Sequence, residues 1–152
     1  MQSGKSEKMK SLAIKQTRNY KYFIGIDPGV TTGLCVWHKQ GKCFPFIGSL
    51  SIYEAMEEVK KYAGESFIRV EDARLRKWFG NRSEFKKQGA GSVKRDCKIW
   101  EEFLTKIGAD FEMIHPRKGL TKHNAASFTR LTGYAGRTSS HARDAALLVY
   151  GF

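Results

Sequence analysis

Tyr20–Ile26 (YKYFIGI) constrains the fold more than any other segment, because it is dense in aromatic and β-branched residues and ends at Asp27-Pro28-Gly29. Such side chains suit a pleated surface, and Pro-Gly interrupts any regular element. The pattern predicts a buried strand that releases a carboxylate at its carboxyl end. Gly33–His38 and Lys42–Leu50 read as two more strands joined at Gln40-Gly41, which makes the opening a three-stranded antiparallel meander.

Ser51-Ile52-Tyr53-Glu54 fits a capping box, and Ile52, Ala55, Val59 and Tyr62 give the helix it starts one apolar stripe. Gly64 is the expected stop. Phe67–Val70 reads as a fourth strand running straight into Glu71 and Asp72. After a polar, basic stretch from Arg74 to Gln88, a long helix is expected from about Gly91 to Ile107. Val93, Cys97, Trp100, Leu104 and Ile107 form its stripe, and Gly108 ends it. Phe111–Ile114 is a fifth strand, followed by a basic segment, a short helix around Ala125–Leu131, and a last helix capped by Ser139 or Ser140 that runs through Val149. This order departs from strict strand–helix alternation. A meander followed by two strand-after-helix crossovers predicts one mixed five-stranded α/β sheet with helices on both faces. Residues 20–152 are expected to form that single domain, and residues 1–19 a mobile basic tail.

The chain carries 27 Lys plus Arg against 15 Asp plus Glu, a formal charge of +12. Such a surplus favours a polyanionic partner, because every phosphate it neutralises releases counterions. No apolar run approaches the roughly 18 residues of a membrane span, and no signal-peptide pattern precedes the domain. Nucleic acid is therefore the expected partner rather than membrane. Cys35, Cys43 and Cys97 are an odd set without C-x-x-C spacing, so neither a disulfide framework nor a zinc knuckle is expected. Reduced thiols in the cytoplasm of a bacterial or phage-infected cell are the expectation.

Several residues carry chemistry-bearing groups at telling positions. Asp27 stands at the carboxyl end of a buried strand, the rim where ligand sites of α/β sheets collect; it is equally good turn chemistry. Glu71 and Asp72 end the fourth strand, and alternation lets only one of them share the face of Asp27. Glu71 is the expected one, with Asp72 left at the surface or behind the site. His141 and Asp144 lie three apart on the last helix and so share a face, and Ala142, Ala145 and Ala146 would let that helix press closely on the sheet. Taken singly, such a pair is more readily a surface or capping feature. Together, these oxygen and imidazole donors from separate elements suit Mg²⁺ or Mn²⁺. Two such ions can activate water and stabilise the leaving oxygen of a phosphodiester.

Gly25-Ile26-Asp27-Pro28-Gly29 with Thr32-Gly33 resembles the first catalytic strand of RuvC-type Holliday-junction resolvases, which have an RNase H-like fold. Val70-Glu71 resembles their second acidic site, and Ser140-His141-Ala142-Arg143-Asp144-Ala145-Ala146 is similar to their terminal-helix motif, in which the position of His141 is filled by an acid or a histidine. The resemblance spans about Tyr20 to Phe152. It implies Asp27, Glu71, His141 and Asp144 as metal ligands, a homodimer, and paired nicks in a four-way junction that leave 5′-phosphate ends. Lys118 and Lys122 fall where that family has phosphate-contacting lysines, with Arg117 a further candidate. Arg74, Arg76, Lys77, Trp78 and Phe79 interleave cations with rings that could stack on opened bases, although the rings could equally pack in a core or a dimer interface. Gly89 and Gly91 are expected where the long helix opens, near phosphate or in a plain turn. Alternatives include an RNase H-fold nuclease for RNA–DNA hybrids or flaps, and a module that binds branched nucleic acid without cutting it. Gly25–Gly33 also resembles the first phosphate loop of actin-like ATPases, but those enzymes close two such domains on a nucleotide and one is expected here.

Overall fold

The computed structural model describes residues 19–76, 84–116 and 122–152, with side chains from 84 to 90 excepted. Strands β1 (Tyr22–Asp27), β2 (Thr31–His38) and β3 (Cys43–Ser51) form the antiparallel meander. Helix α1 (Ile52–Lys60) then leads through a 3₁₀ turn to β4 (Ser66–Glu71), which pairs parallel with β1. Helix α2 (Glu84–Lys106) returns the chain to β5 (Asp110–Ile114), parallel to β4, and helices α3 (Ala125–Thr132) and α4 (Ser140–Leu147) follow. The result is one five-stranded mixed sheet in the order β3-β2-β1-β4-β5. Both crossovers and the meander match the expectation from sequence.

Alternation along the strands sorts the core into two layers. Ile24, Ile26, Leu34, Val36, Ile68 and Val70 face α1 and α2, where Ala55, Val59, Trp100 and Leu104 are fully buried. Phe23, Cys35, Trp37 and Phe67 point the other way, against Phe128 of α3 and Ala145 and Ala146 of α4. Each large buried side chain contributes roughly 1.5–3 kcal/mol by leaving water. The parity also decides the site. Asp27 belongs to the series of Phe23 and Gly25, and Glu71 to that of Phe67 and Arg69, so both carboxylates stand on the α4 face.

Some boundaries differ from expectation. Strand β1 runs to Asp27, which pairs with Gly33 and is thus held within the ladder. Tyr20 lies outside the strand and its hydroxyl donates to Asp110 at 3.0 Å. The Ser51 capping box is present, but α1 ends at Lys60 and Gly64 sits in the following 3₁₀ turn without a positive φ, so it is not the stop. Gly108, at φ 68°, does close α2. That helix begins at Glu84, well before Gly91, so Gly89 and Gly91 lie inside it rather than at its opening. Glu84, Lys86, Lys87 and Gln88 are strong helix formers and override the two glycines. Helix α4 stops at Leu147, two residues short of Val149.

Candidate active site

Helix α4 reaches the sheet because glycines clear its path. A β-carbon on Gly25 would come 2.0 Å from the Ala145 carbonyl oxygen, and Ala142, Ala145 and Ala146 are fully buried on the helix side. Ser139 caps the helix, its hydroxyl accepting from the Ala142 amide at 3.1 Å, and it also bonds Ser49 of β3. Thr32 is fully buried, and its hydroxyl donates to the Gly29 carbonyl at 3.0 Å, tying down the turn after Asp27. These contacts fix the amino end of α4 against β2 and β3, beside the carboxyl end of β1.

His141 Nδ1 lies 2.9 Å from Asp27 Oδ2. The Asp27 side chain is 16% exposed while that of His141 is 51% exposed, so the pair spans the boundary between sheet and solvent. Burial raises the Asp27 carboxyl above its ordinary value; the His141 hydrogen bond opposes this, Asp144 adds to it, and Lys122 works against it. Glu71 is raised in the same way, first by burial and then by the charge of Asp27, with Asp144 adding and Arg76 and Lys122 opposing. Arg76 Nη2 lies 3.8 Å from Glu71 Oε1. The charges of Asp27 and Asp144 thus act on Glu71, with Lys122 and Arg76 as the opposing cations.

Among the described residues no three His, Cys, Asp or Glu side chains stand close enough to cage a metal ion. A preformed cage would suit structural zinc. Mg²⁺ keeps several waters and takes one or two carboxylates with substrate phosphate, so it needs no such cage. The His141–Asp27 bond engages Nδ1 and Oδ2, so Nε2 and Oδ1 are the atoms through which each would meet such an ion.

Asp72 turns to the opposite face from Glu71 and is buried, which corrects the surface position left open for it. Its two oxygens accept from Arg74 Nε at 2.8 Å and Nη2 at 2.7 Å, and the same Arg74 nitrogen reaches Glu101 of α2 at 2.7 Å. Burial acts to raise Asp72, but the Arg74 bonds outweigh it and hold the carboxyl below its usual value. Arg74 is thus committed to two carboxylates that join β4 to α2, which leaves its expected phosphate contact without support. Lys77, Trp78, Phe79, Arg117 and Lys118 lie outside the described residues. Lys122 is exposed beside the acids. Arg143, not singled out by its sequence, donates its guanidinium to the carbonyls of His123 at 2.8 Å and Thr138 at 2.7 Å. A long cation flanked by two site candidates was the available signal.

No family model matches the sequence. No curated protein matches it either. Among solved structures, T. thermophilus RuvC in complex with Holliday junction substrate superposes with a TM-score of 0.53 over 82% of this chain and 87% of that one. The two chains share a fold. Identity between the two is 18%, so the likeness concerns the RNase H-like architecture and not the individual residues.

Proposed function

We propose that this chain is a divalent-metal-dependent DNA endonuclease that resolves four-way junctions as a homodimer, each protomer nicking one of two opposed strands. One observation carries the reading: His141 of α4 lies 2.9 Å from Asp27 of β1, with Glu71 of β4 and Asp144 of α4 within electrostatic reach, in a chain of charge +12. A protein of this fold has been seen with a Holliday junction substrate, which supports branched DNA as the partner.

Asp27, Glu71 and Asp144, with Nε2 of His141, would hold Mg²⁺ or Mn²⁺, two ions per site. When bound, the ions lower the pKa of an attacking water and neutralise charge developing on the phosphate. The protein's own groups supply the rest. Backbone pairing of β1 fixes Asp27, and packing of α4 fixes His141 and Asp144, so little reorganisation accompanies reaction. Lys122 and Arg76 offset the repulsion that unaccompanied carboxylates exert on a phosphodiester. Hydrolysis joins a water oxygen to phosphorus and breaks the bond to the 3′ oxygen. That oxygen takes up a proton, leaving a 5′-phosphate and a 3′-hydroxyl.

A gel assay tests this with a synthetic four-way junction, a linear duplex and an RNA–DNA hybrid, each with and without Mg²⁺ or Mn²⁺. Symmetric, metal-dependent nicks in the junction alone are expected. Cutting of the hybrid alone would overturn the substrate assignment, and junction binding without cutting in either metal would overturn the enzyme assignment.

A further inference from the structure

We propose that Arg143 is a positioning residue that holds Lys122 against the acid cluster, a claim that rests on the nuclease reading above. Arg143 sits on α4 between His141 and Asp144, yet its guanidinium turns away from both. Nε donates to the His123 carbonyl at 2.8 Å, while Nη1 donates to the Thr138 carbonyl at 2.7 Å and to Thr138 Oγ1 at 3.0 Å. One planar group thereby joins three stretches of chain: the helix carrying His141 and Asp144, the segment entering α3, and the segment entering α4. Lys122 immediately precedes the first anchor. Its side chain is exposed, and its charge reaches both Asp27 and Glu71.

Among the described residues, other contacts hold the far end of this segment. Asn124 caps α3 by accepting from the Ser127 amide at 2.8 Å, and His123 Nδ1 pairs with Ser127 Oγ at 3.1 Å. Those bonds tie residues 123 and 124 to α3, whereas Arg143 ties residue 123 to α4. The clamp thus converts Lys122 from a charge on a connecting segment into a charge at a set distance from the acids. Lysine cannot replace it. A single ammonium lacks the rigid fork that meets two carbonyls on separate segments.

The test uses R143Q, R143K, K122A and the double variant R143Q/K122A. Four readouts are taken: thermal unfolding, junction binding without divalent metal, cleavage at saturating enzyme, and hydrogen exchange of backbone amides. R143Q is expected to slow cleavage about 10- to 100-fold, the scale of a small misplacement at a reacting centre, while affinity changes by less than about 3-fold. R143K should not rescue it. Because Arg143 acts through Lys122, R143Q should slow the K122A protein little further. Exchange should rise at residues 122–124 and not along α4. Fully additive losses, or unchanged exchange at 122–124 in a folded variant, would overturn the proposal. If the unaltered protein cuts no junction, the resolvase reading fails by itself, and the exchange measurement still decides whether Arg143 holds the segment.

Discussion

The carbonyl oxygen of His141 lies so close over Gly33 that a β-carbon there would come within 2.0 Å of it. Backbone meets backbone at this point, and the same is true between Gly25 and Ala145. Both glycines sit on the face that carries Asp27, so the approach that brings α4 onto the sheet also brings His141 to Asp27.

Gly33→Ala is therefore expected to destabilise the fold by roughly 1–3 kcal/mol, the usual cost of forcing extra volume into a packed region. In a chain of this size that lowers the unfolding temperature by about 2–4 °C per kcal/mol. Gly64→Ala is the control. Its β-carbon would meet nothing within 4 Å, and its φ is not positive, so a change within about 0.5 kcal/mol is expected. Equal unfolding temperatures for the two variants would contradict the close-approach account.

How much of this was legible beforehand depended on whether the cause was local. Strand alternation is local, and it assigned Glu71 rather than Asp72 to the face of Asp27. The alanines of α4 signalled close packing from the helix side, and Gly25 and Gly33 could have signalled it from the sheet side. Asp72 was a different matter. Its partner Arg74 lies two residues away, but the bond matters because Glu101, twenty-seven positions from Arg74, completes it across α2. No periodicity records such a pairing. Arg143 is no more legible, since its acceptors are two carbonyls and a hydroxyl of irregular chain.

Glu71 should respond to pH in a direction opposite to that of an ordinary salt-bridged acid. Its folded carboxyl is raised above 4.5, so between that value and the folded pKa the native state holds a proton that the unfolded chain has lost. Stability accordingly falls as pH rises through that window. Glu71→Gln removes the penalty. In metal-free buffer at neutral pH the variant should be the more stable protein, by about 1 kcal/mol or less for so open a site, and its advantage should vanish as pH drops below about 4. Denaturant unfolding across that pH range measures it. A variant less stable at pH 7 would count against a Glu71 carboxyl raised by burial and by Asp27.

Asp72, one residue along, should behave in the reverse sense. Its carboxyl is held below 3.8 in the folded state, so its contribution is complete above that value and is lost as pH falls through the folded pKa. Asp72→Ala leaves Arg74 without its main partner and is expected to cost about 2–4 kcal/mol at neutral pH. Cleavage per folded molecule should persist, because the carboxylate faces α2 and not the acid cluster. Loss of cleavage in a protein whose fold and unfolding temperature are unchanged would give Asp72 a place in the chemistry instead.

Asp27→Asn separates holding DNA from cutting it. The substitution keeps the size of the side chain and an acceptor for His141, but removes one of the charges that raise Glu71. It also removes a proposed metal ligand whose backbone is held in the β1–β2 ladder. Cleavage of a four-way junction should therefore disappear. Binding should hold steady or tighten, since one negative charge fewer faces the phosphates. Metal supplies a readout that needs no activity. Mg²⁺ at about 100 times its dissociation constant adds roughly 2.7 kcal/mol to the stability of a protein that binds it only when folded, and Asp27→Asn should abolish most of that rise. A Mg²⁺-induced rise that survives intact in the variant would mean that the ion binds elsewhere, and Asp27 would lose its assigned role even if the variant were inactive.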